Sequence, residues 1–153
     1  MHMIFHFCGQ PYAVPNASLR ELFMLPQLMA VEQSIACLSG TVNCRGKIIP
    51  VLDFAAVMGH PRAAYQMDDV VMVLEHASRT MGLIVSDVSE LQVVTEESVV
   101  QLPAMLLQEN QTCVIRGQTI SRDQALLSIL DIDALFTHPA AQIHEAADRK
   151  SVV

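Results

Sequence analysis

The sequence has little positive charge: nine Lys and Arg residues stand against sixteen Asp and Glu residues, which gives a net charge of −7. Nucleic acids are bound through a basic face that neutralises their phosphates. Here the basic residues are scattered singly, apart from the pair Arg149-Lys150. We therefore expect no nucleic-acid partner and no attraction to an anionic membrane surface.

A long apolar run is also missing from the sequence. A helix that spans a bilayer needs about 20 apolar residues, whereas the longest candidate, Leu22–Val31, is interrupted by Pro26 and Gln27. Residues 1–5 lack the basic segment followed by an apolar stretch that marks a signal peptide. These features predict a cytoplasmic protein with no segment inserted in a membrane.

Motifs of catalysis and cofactor binding are sparse. The six glycines are isolated, so the sequence has no glycine-rich phosphate loop, and the four cysteines form no Cys-x-x-Cys pair. A thiol nucleophile built from His6, Cys8 and Cys113 would require a positioned third group, and the sequence indicates none. We predict no catalytic residue and no cofactor.

A zinc site is the second chemical alternative, and it is equally weak. Its candidate ligands are Cys37, Cys44, His138 and His144. Structural zinc sites bring their ligands in pairs at short spacings, and these residues do not have such spacings. We predict no metal site and expect the cysteines to be free thiols.

Apolar residues, by contrast, are plentiful. They make up 52% of the 153 positions, at or above the share of about 45–50% that is usual in globular domains. A chain of this length buries roughly 70% of its unfolded surface. We expect one folded domain, with room for two small subdomains around a common core.

Most apolar segments are short and bounded by turn residues, which is typical of β-strands. Two hairpins are predicted: Val42–Val51, which bends at Arg45-Gly46, and Val70–Val85, which bends at residues 76–79. The other predicted strands are Met3–Cys8, Tyr12–Val14, Leu91–Thr95, Ser98–Leu102, Thr112–Arg116 and Leu126–Leu130.

A first short helix is predicted at Ala17–Met24, with Asn16 as its N-cap. Leu19, Leu22 and Phe23 would share one face of it, at the i, i+3, i+4 spacing. That face would either pack into the core or line a binding groove.

Two further short helices follow strands in a similar way. Asp53 is the predicted N-cap of Phe54–Met58, and Asp131 is the predicted N-cap of Ile132–Phe136. In both places an Arg-Gly dipeptide and a strand precede the capped helix, about half the chain apart. This repetition favours two similar small β-barrels, each closed by a helical turn.

The most specific segment is Gly40–Phe54, which reads Gly-Thr-Val-Asn-Cys-Arg-Gly-Lys-Ile-Ile-Pro-Val-Leu-Asp-Phe. It closely resembles the signature of the CheW family, Gly-x-x-Asn-x-Arg-Gly-x-x-x-Pro-Val-x-Asp-Leu. Further similar features follow the family's order, among them Phe5-x-Phe7 and Gly82-Leu83-Ile84-Val85. The resemblance covers residues 3–137.

The resemblance implies an all-β fold with short helices, in which two SH3-like five-stranded β-barrel subdomains share one hydrophobic core. It places the single CheW-like domain at residues 1–137. Residues 138–153 are polar and Ala-rich, and would form a flexible or loosely helical tail.

The resemblance also implies a function: a non-catalytic adaptor that couples the cytoplasmic tip of a chemoreceptor to the regulatory domain of a CheA-type histidine kinase. Carried over by position, the receptor-binding residues are Leu19, Glu21, Leu22, Asn43 and Arg45. Asn43 is also expected to hold its turn through side-chain to backbone bonds.

Two alternatives stay open. The family's usual Asp after the Gly82–Val85 strand is Ser86 here, followed by Asp87, which leaves room for a scaffold of a pilus-motility or other non-flagellar receptor pathway. The other alternative is a β-barrel module that binds a peptide or small ligand without a kinase partner.

Overall fold

The computed structural model describes residues 1–24, 38–59, 69–101 and 114–137, and β-strands dominate these segments. The strands are β1 His2–Phe7, β2 Gln10–Pro15, β3 Leu19–Met24, β4 Leu38–Cys44, β5 Lys47–Asp53, β6 Val70–His76, β7 Arg79–Gln92, β8 Ile115–Ile120 and β9 Leu126–Leu130. Two α-helices, α1 Phe54–Val57 and α2 Ile132–Phe136, follow β5 and β9.

The strands form two five-stranded sheets that share β7. In the middle sheet, β7 lies between β6 and β5, with β3 and β4 outside them. In the terminal sheet, the order is β7, β1, β2, β9 and β8. Each sheet contains one parallel pair, β5 with β7 and β2 with β9, and the other pairs are antiparallel. Within the described segments, the ladder of neither sheet closes on itself.

Asp87 marks the point where β7 passes from one sheet to the other. Its φ is 52°, and the β1 pairing steps over it, since Phe5 pairs with Val88 and His6 pairs with Ser86. A β-bulge of this kind bends a strand and increases its twist. The bend lets one strand of 14 residues serve both sheets.

The core lies between the two sheets and inside each of them. Side chains alternate along a strand, so that Phe5 packs in the core between the sheets and its neighbour Ile4 packs inside the terminal sheet. Both sheets contribute to the shared core, whose larger members include Phe5, Tyr12, Phe54, Met72, Leu83, Leu130 and Phe136. The predicted fold class, two SH3-like subdomains around one core, is confirmed.

Both predicted hairpins and both predicted aspartate caps are confirmed. Asp53 Oδ1 accepts a hydrogen bond from the Ala55 N–H at 2.9 Å, and Asp131 Oδ1 accepts one from the Ala134 N–H at 3.1 Å. Gly59, which follows α1, has a φ of 83°, the left-handed conformation with which helices commonly end.

The predicted helix at Ala17–Met24 is wrong. A single 3₁₀ turn at Asn16–Ser18 leads into strand β3; its N-cap position is Pro15, not Asn16, and it has no side-chain cap hydrogen bond. Residues 19–24 alternate between half-buried and exposed positions, the period of a strand. Pairing with the apolar strand β6 decides between the two periods.

Three predicted strands also change. Strand β7 ends at Gln92 and residues 93–95 are not in a strand, so the separate strand Leu91–Thr95 is wrong. Ser98 lies in the 3₁₀ turn Glu96–Ser98, and Val100 makes one isolated bridge with Gln118, so the described residues 98–101 do not form the predicted strand. Strand β8 runs through Gly117 instead of ending there. A Cβ on Gly117 would come within 2.9 Å of the Val100 carbonyl oxygen, which explains why this position is a glycine.

Some predictions fall outside the described residues. These are the tail at 138–153 and the cysteine and histidine candidates Cys37, Cys113, His138 and His144. The longest helix in the described part of the chain has five residues, whereas a membrane-spanning helix needs about 20.

The imidazole of His2 gives the fold a predictable pH dependence. His2 is 8% exposed, and its Nδ1 is buried without a hydrogen-bond partner. Burial, followed by the charges of the N-terminal amine and Arg116, lowers the pKa of His2 from 6.5 in spite of Glu96. The folded protein therefore holds this proton less well than the unfolded chain does.

The free energy of unfolding should consequently be fully maintained above pH 6.5 and should fall as the pH drops below 6.5, because only the unfolded chain readily takes up the proton. One such group contributes a slope of at most about 1.4 kcal/mol per pH unit. His2→Gln should remove this part of the slope in urea titrations between pH 5 and 7. Identical slopes for the variant and the parent would contradict the assignment.

Candidate functional site

The turn between β4 and β5 presents Arg45 to solvent. Arg45 and Gly46 have φ values of 55° and 82°, and positive φ at both positions is the requirement of a type I′ hairpin turn. The Asn43 side chain accepts the Gly46 N–H at 2.9 Å, so the expected role of Asn43 in holding the turn is confirmed. The Arg45 side chain is 83% exposed at the tip.

The conformation of Arg45 has an energetic cost. A left-handed φ costs a non-glycine residue about 1–2 kcal/mol, and asparagine tolerates it better than arginine does. Residues with strained backbone conformations are commonly found at functional sites. The choice of arginine is therefore better explained by what its side chain contacts than by the stability of the turn.

Glu21 on β3 reaches this turn. Its Oε2 lies 3.3 Å from Arg45 Nε and 3.6 Å from the Sγ of Cys44, which donates to it. Burial raises the pKa of the Cys44 thiol, the Glu21 carboxylate raises it further, and Arg45 opposes them. Cys44 is therefore a protonated thiol near pH 7, which suits a hydrogen-bond donor and not a nucleophile.

An open pocket of about 240 Å³ lies beside this ion pair. Its charged lining consists of three cations and two carboxylates: Arg20, Arg45, Lys47, Glu21 and Glu75. Ile49 and Val73, from the core of the middle sheet, supply apolar lining. The arrangement is suited to holding a side chain of a partner molecule.

The structure divides the five predicted receptor-binding residues. It brings Glu21, Asn43 and Arg45 together at the turn, but Leu19 packs against the shared core. Leu22 is 38% exposed and points to the opposite face of β3 from Glu21. Because the pairing register shifts between Leu19 and Glu21, Leu19 and Leu22 pair with Leu74 and Met72, which both belong to the shared core. Leu19 and Leu22 therefore do share one face, as predicted, but Phe23 lies on the other face, against the core of the middle sheet.

Sequence reasoning missed several residues of this region. Arg20, Lys47 and Glu75 line the pocket, and Arg20 donates to Glu75 at 3.0 Å. Met24 is 63% exposed and shares its face of β3 with Leu22. Residues Leu19–Met24 read Leu-Arg-Glu-Leu-Phe-Met, with no alternation of charged and apolar residues, so the sequence held no local signal for this strand surface.

The catalytic alternative gains no support from the geometry. Cys8 lies in the exposed turn after β1, with a φ of 52°, and not on the strand face of His6. His6 Nδ1 has Asp87 Oδ2 at 3.6 Å and no hydrogen-bond partner. No group of three potential metal ligands lies together in the described parts of the chain.

The model of the CheW-like domain matches residues 2–140, and this span includes the whole of the described fold.

The chain belongs to the CheW family.

Relatives within the CheW family are distant in sequence. A probable chemotaxis protein CheW from Rhizobium etli is 26% identical over 138 residues, which cover 90% of this chain and 88% of the relative. Protein PilI from Pseudomonas aeruginosa is 25% identical over 88 residues, which cover 58% of this chain and 49% of PilI.

A solved CheW structure has the same fold. The scaffolding protein TtCheW from Thermoanaerobacter tengcongensis superimposes with a TM-score of 0.80 at 22% identity, over 91% of this chain and 93% of that one. At this level of identity, the match supports the arrangement of the strands and not the identity of any partner.

Proposed function

We propose that this chain is a non-catalytic adaptor, which couples the cytoplasmic tips of chemoreceptors to the regulatory domain of a CheA-type histidine kinase. Its mechanism is geometric. One surface holds the receptor and another holds the kinase, and the shared adaptor raises their effective concentration. No bond is made or broken on this chain.

The observation that carries the proposal is the exposure of the Arg45 side chain beside an open pocket. Arg45 lies in the segment that matches the family signature, at the tip of a turn that costs energy to form. Arginine is enriched among residues that dominate binding energy. A receptor tip is a helical hairpin, and Arg45 would fix its register while apolar contacts supply area.

Leu22 and Met24 are the apolar part of the proposed receptor surface. They are 38% and 63% exposed on one face of β3, and Glu21 is on the other face. Leu22 pairs directly with Met72 of the shared core, so the exposed pair borders the junction of the two sheets. Asn43 supports the proposed surface by holding the turn, and the half-buried Leu19 supports it by packing against the shared core.

The first test is calorimetry of the purified protein with the regulatory domain of a CheA-type kinase and, separately, with a receptor signalling-tip fragment from the same genome. We expect micromolar or tighter binding to the kinase domain. Absence of binding to every such kinase in the genome would overturn the adaptor role. A peptide- or ligand-binding barrel without a kinase would then become the leading candidate.

The similarity to PilI supports a second candidate within the same class, an adaptor of a pilus-motility pathway. That similarity covers just over half of this chain, which makes it the weaker candidate. Binding to the kinase of a pilus-motility system, in preference to that of a flagellar system, would favour it.

A further inference from the structure

The pocket beside Arg45 is a positive site on a negative protein. The chain carries a net charge of −7, yet the pocket lining contains three cations and only two carboxylates. Arg20 pairs with Glu75 at 3.0 Å and Arg45 pairs with Glu21 at 3.3 Å. Within the described ranges, Lys47 has no ion-pair partner.

The pairing of Arg45 with Glu21 is easily exchanged. The Arg45 side chain is 83% exposed and that of Glu21 is 32% exposed. Ion pairs so open to water are weak, because solvent and salt screen them. An incoming carboxylate would therefore meet little resistance in replacing Glu21 at the guanidinium, and the Cys44 thiol would still donate to Glu21.

We propose that this pocket receives a carboxylate side chain from the receptor helix, and that Glu21 is an internal stand-in which occupies Arg45 until that carboxylate arrives. The inference rests on the proposed function, since it names the partner group recognised at the same site. Arg45 and Lys47 bind the incoming carboxylate. Glu21 is a positioning residue that sets the affinity by competition.

The lining offers apolar surface as well as positive charge. Ile49 and Val73 provide apolar surface for the methylene groups of a Glu or Asp side chain, and three cations belong to the same lining. Arg45 offers a planar fork of donors that matches a carboxylate. The energy spent on the left-handed φ of Arg45 is consistent with presenting that fork outward.

The test is the affinity of a receptor signalling-tip fragment for Glu21→Gln. The amide keeps the size of the side chain and still accepts from Cys44, but it no longer neutralises Arg45. We expect two- to fivefold tighter binding at low salt, in line with the weight of exposed ion pairs. The affinity should also fall more steeply with salt than that of the parent, because a further unpaired cation is engaged.

The controls separate this competition from a general change of charge. Glu97→Gln makes the same change at an exposed carboxylate beside the terminal sheet, and should leave the affinity unchanged. Glu21→Asp keeps the negative charge, and its affinity for the tip should equal that of the parent. Lys47→Gln removes the unpaired cation, and should weaken binding about two- to threefold.

The partner carboxylate is found by replacing the acidic residues of the signalling tip with Gln or Asn, one at a time. One replacement should weaken binding to the parent protein. The same replacement should cause no further loss of affinity for Arg45→Gln, which is the signature of direct coupling. Weaker or unchanged binding by Glu21→Gln would overturn the inference while leaving the adaptor role intact. Failure of the unmodified protein to bind any signalling tip would overturn both.

Discussion

Arg45→Glu is expected to weaken binding of the receptor signalling tip by at least about tenfold, the size of effect that central interface arginines commonly show. The substitution replaces the exposed cation with a carboxylate that faces Glu21. The pocket then contains more carboxylates than cations, and it repels the acidic group that it is proposed to bind. Titration calorimetry with the tip fragment measures the change.

The stability of the fold should not explain that loss. The Arg45 side chain is 83% exposed, so its replacement removes little buried surface. The variant should bind the kinase regulatory domain with the parental affinity. That result would demonstrate that the variant is folded and that its kinase surface is intact. Parental affinity of Arg45→Glu for the receptor would remove Arg45 from the proposed site.

Arg45→Asn is the matched variant for the backbone. Asparagine is the preferred first residue of a type I′ turn, so the substitution removes the charge and relieves the left-handed strain together. We expect weaker receptor binding, with a free energy of unfolding equal to or above that of the parent by up to about 1 kcal/mol. Opposite changes in the two quantities would indicate that Arg45 is retained for binding.

The features that local sequence determined were predicted well. A hairpin bend, an aspartate cap and a glycine at a helix end each depend on a few neighbouring residues, and Asp53, Asp131 and the Arg45-Gly46 turn fulfil those requirements. The resemblance in the segment Gly40–Phe54 then added the family and the two-subdomain fold.

The features that distant pairing determined were missed. The apolar residues Leu19, Leu22 and Phe23 follow a helical spacing, but pairing with β6 makes the segment Leu19–Met24 a strand. The pocket likewise unites residues far apart in the chain, as in the ion pair of Arg20 with Glu75, 55 positions later. No local pattern could show that these charges share one site.

Phe54→Ala should produce the largest loss of stability, about 3–5 kcal/mol in the free energy of unfolding. Phe54 is 2% exposed and forms edge-to-face contacts with Phe5 at 5.0 Å and with Tyr12 at 5.1 Å between ring centroids. These two partners belong to the terminal sheet, and Phe54 follows β5 of the middle sheet. The ring therefore holds the two sheets together.

Phe7→Ala is the matched control, because Phe7 contacts the same ring at 5.5 Å but is only half-buried. It should lose about 2 kcal/mol or less. Urea unfolding measures both losses, and Phe54→Leu, with an expected loss near 1.5 kcal/mol, keeps the position testable if Phe54→Ala does not fold. Equal losses for the two alanine variants would mean that Phe54 holds the sheets together no more than its half-buried neighbour does.

A larger loss at Phe54 would indicate that α1, the helix after the signature segment, stabilises the contact between the two sheets. The spacing of the proposed receptor and kinase surfaces depends on the rigidity of that contact.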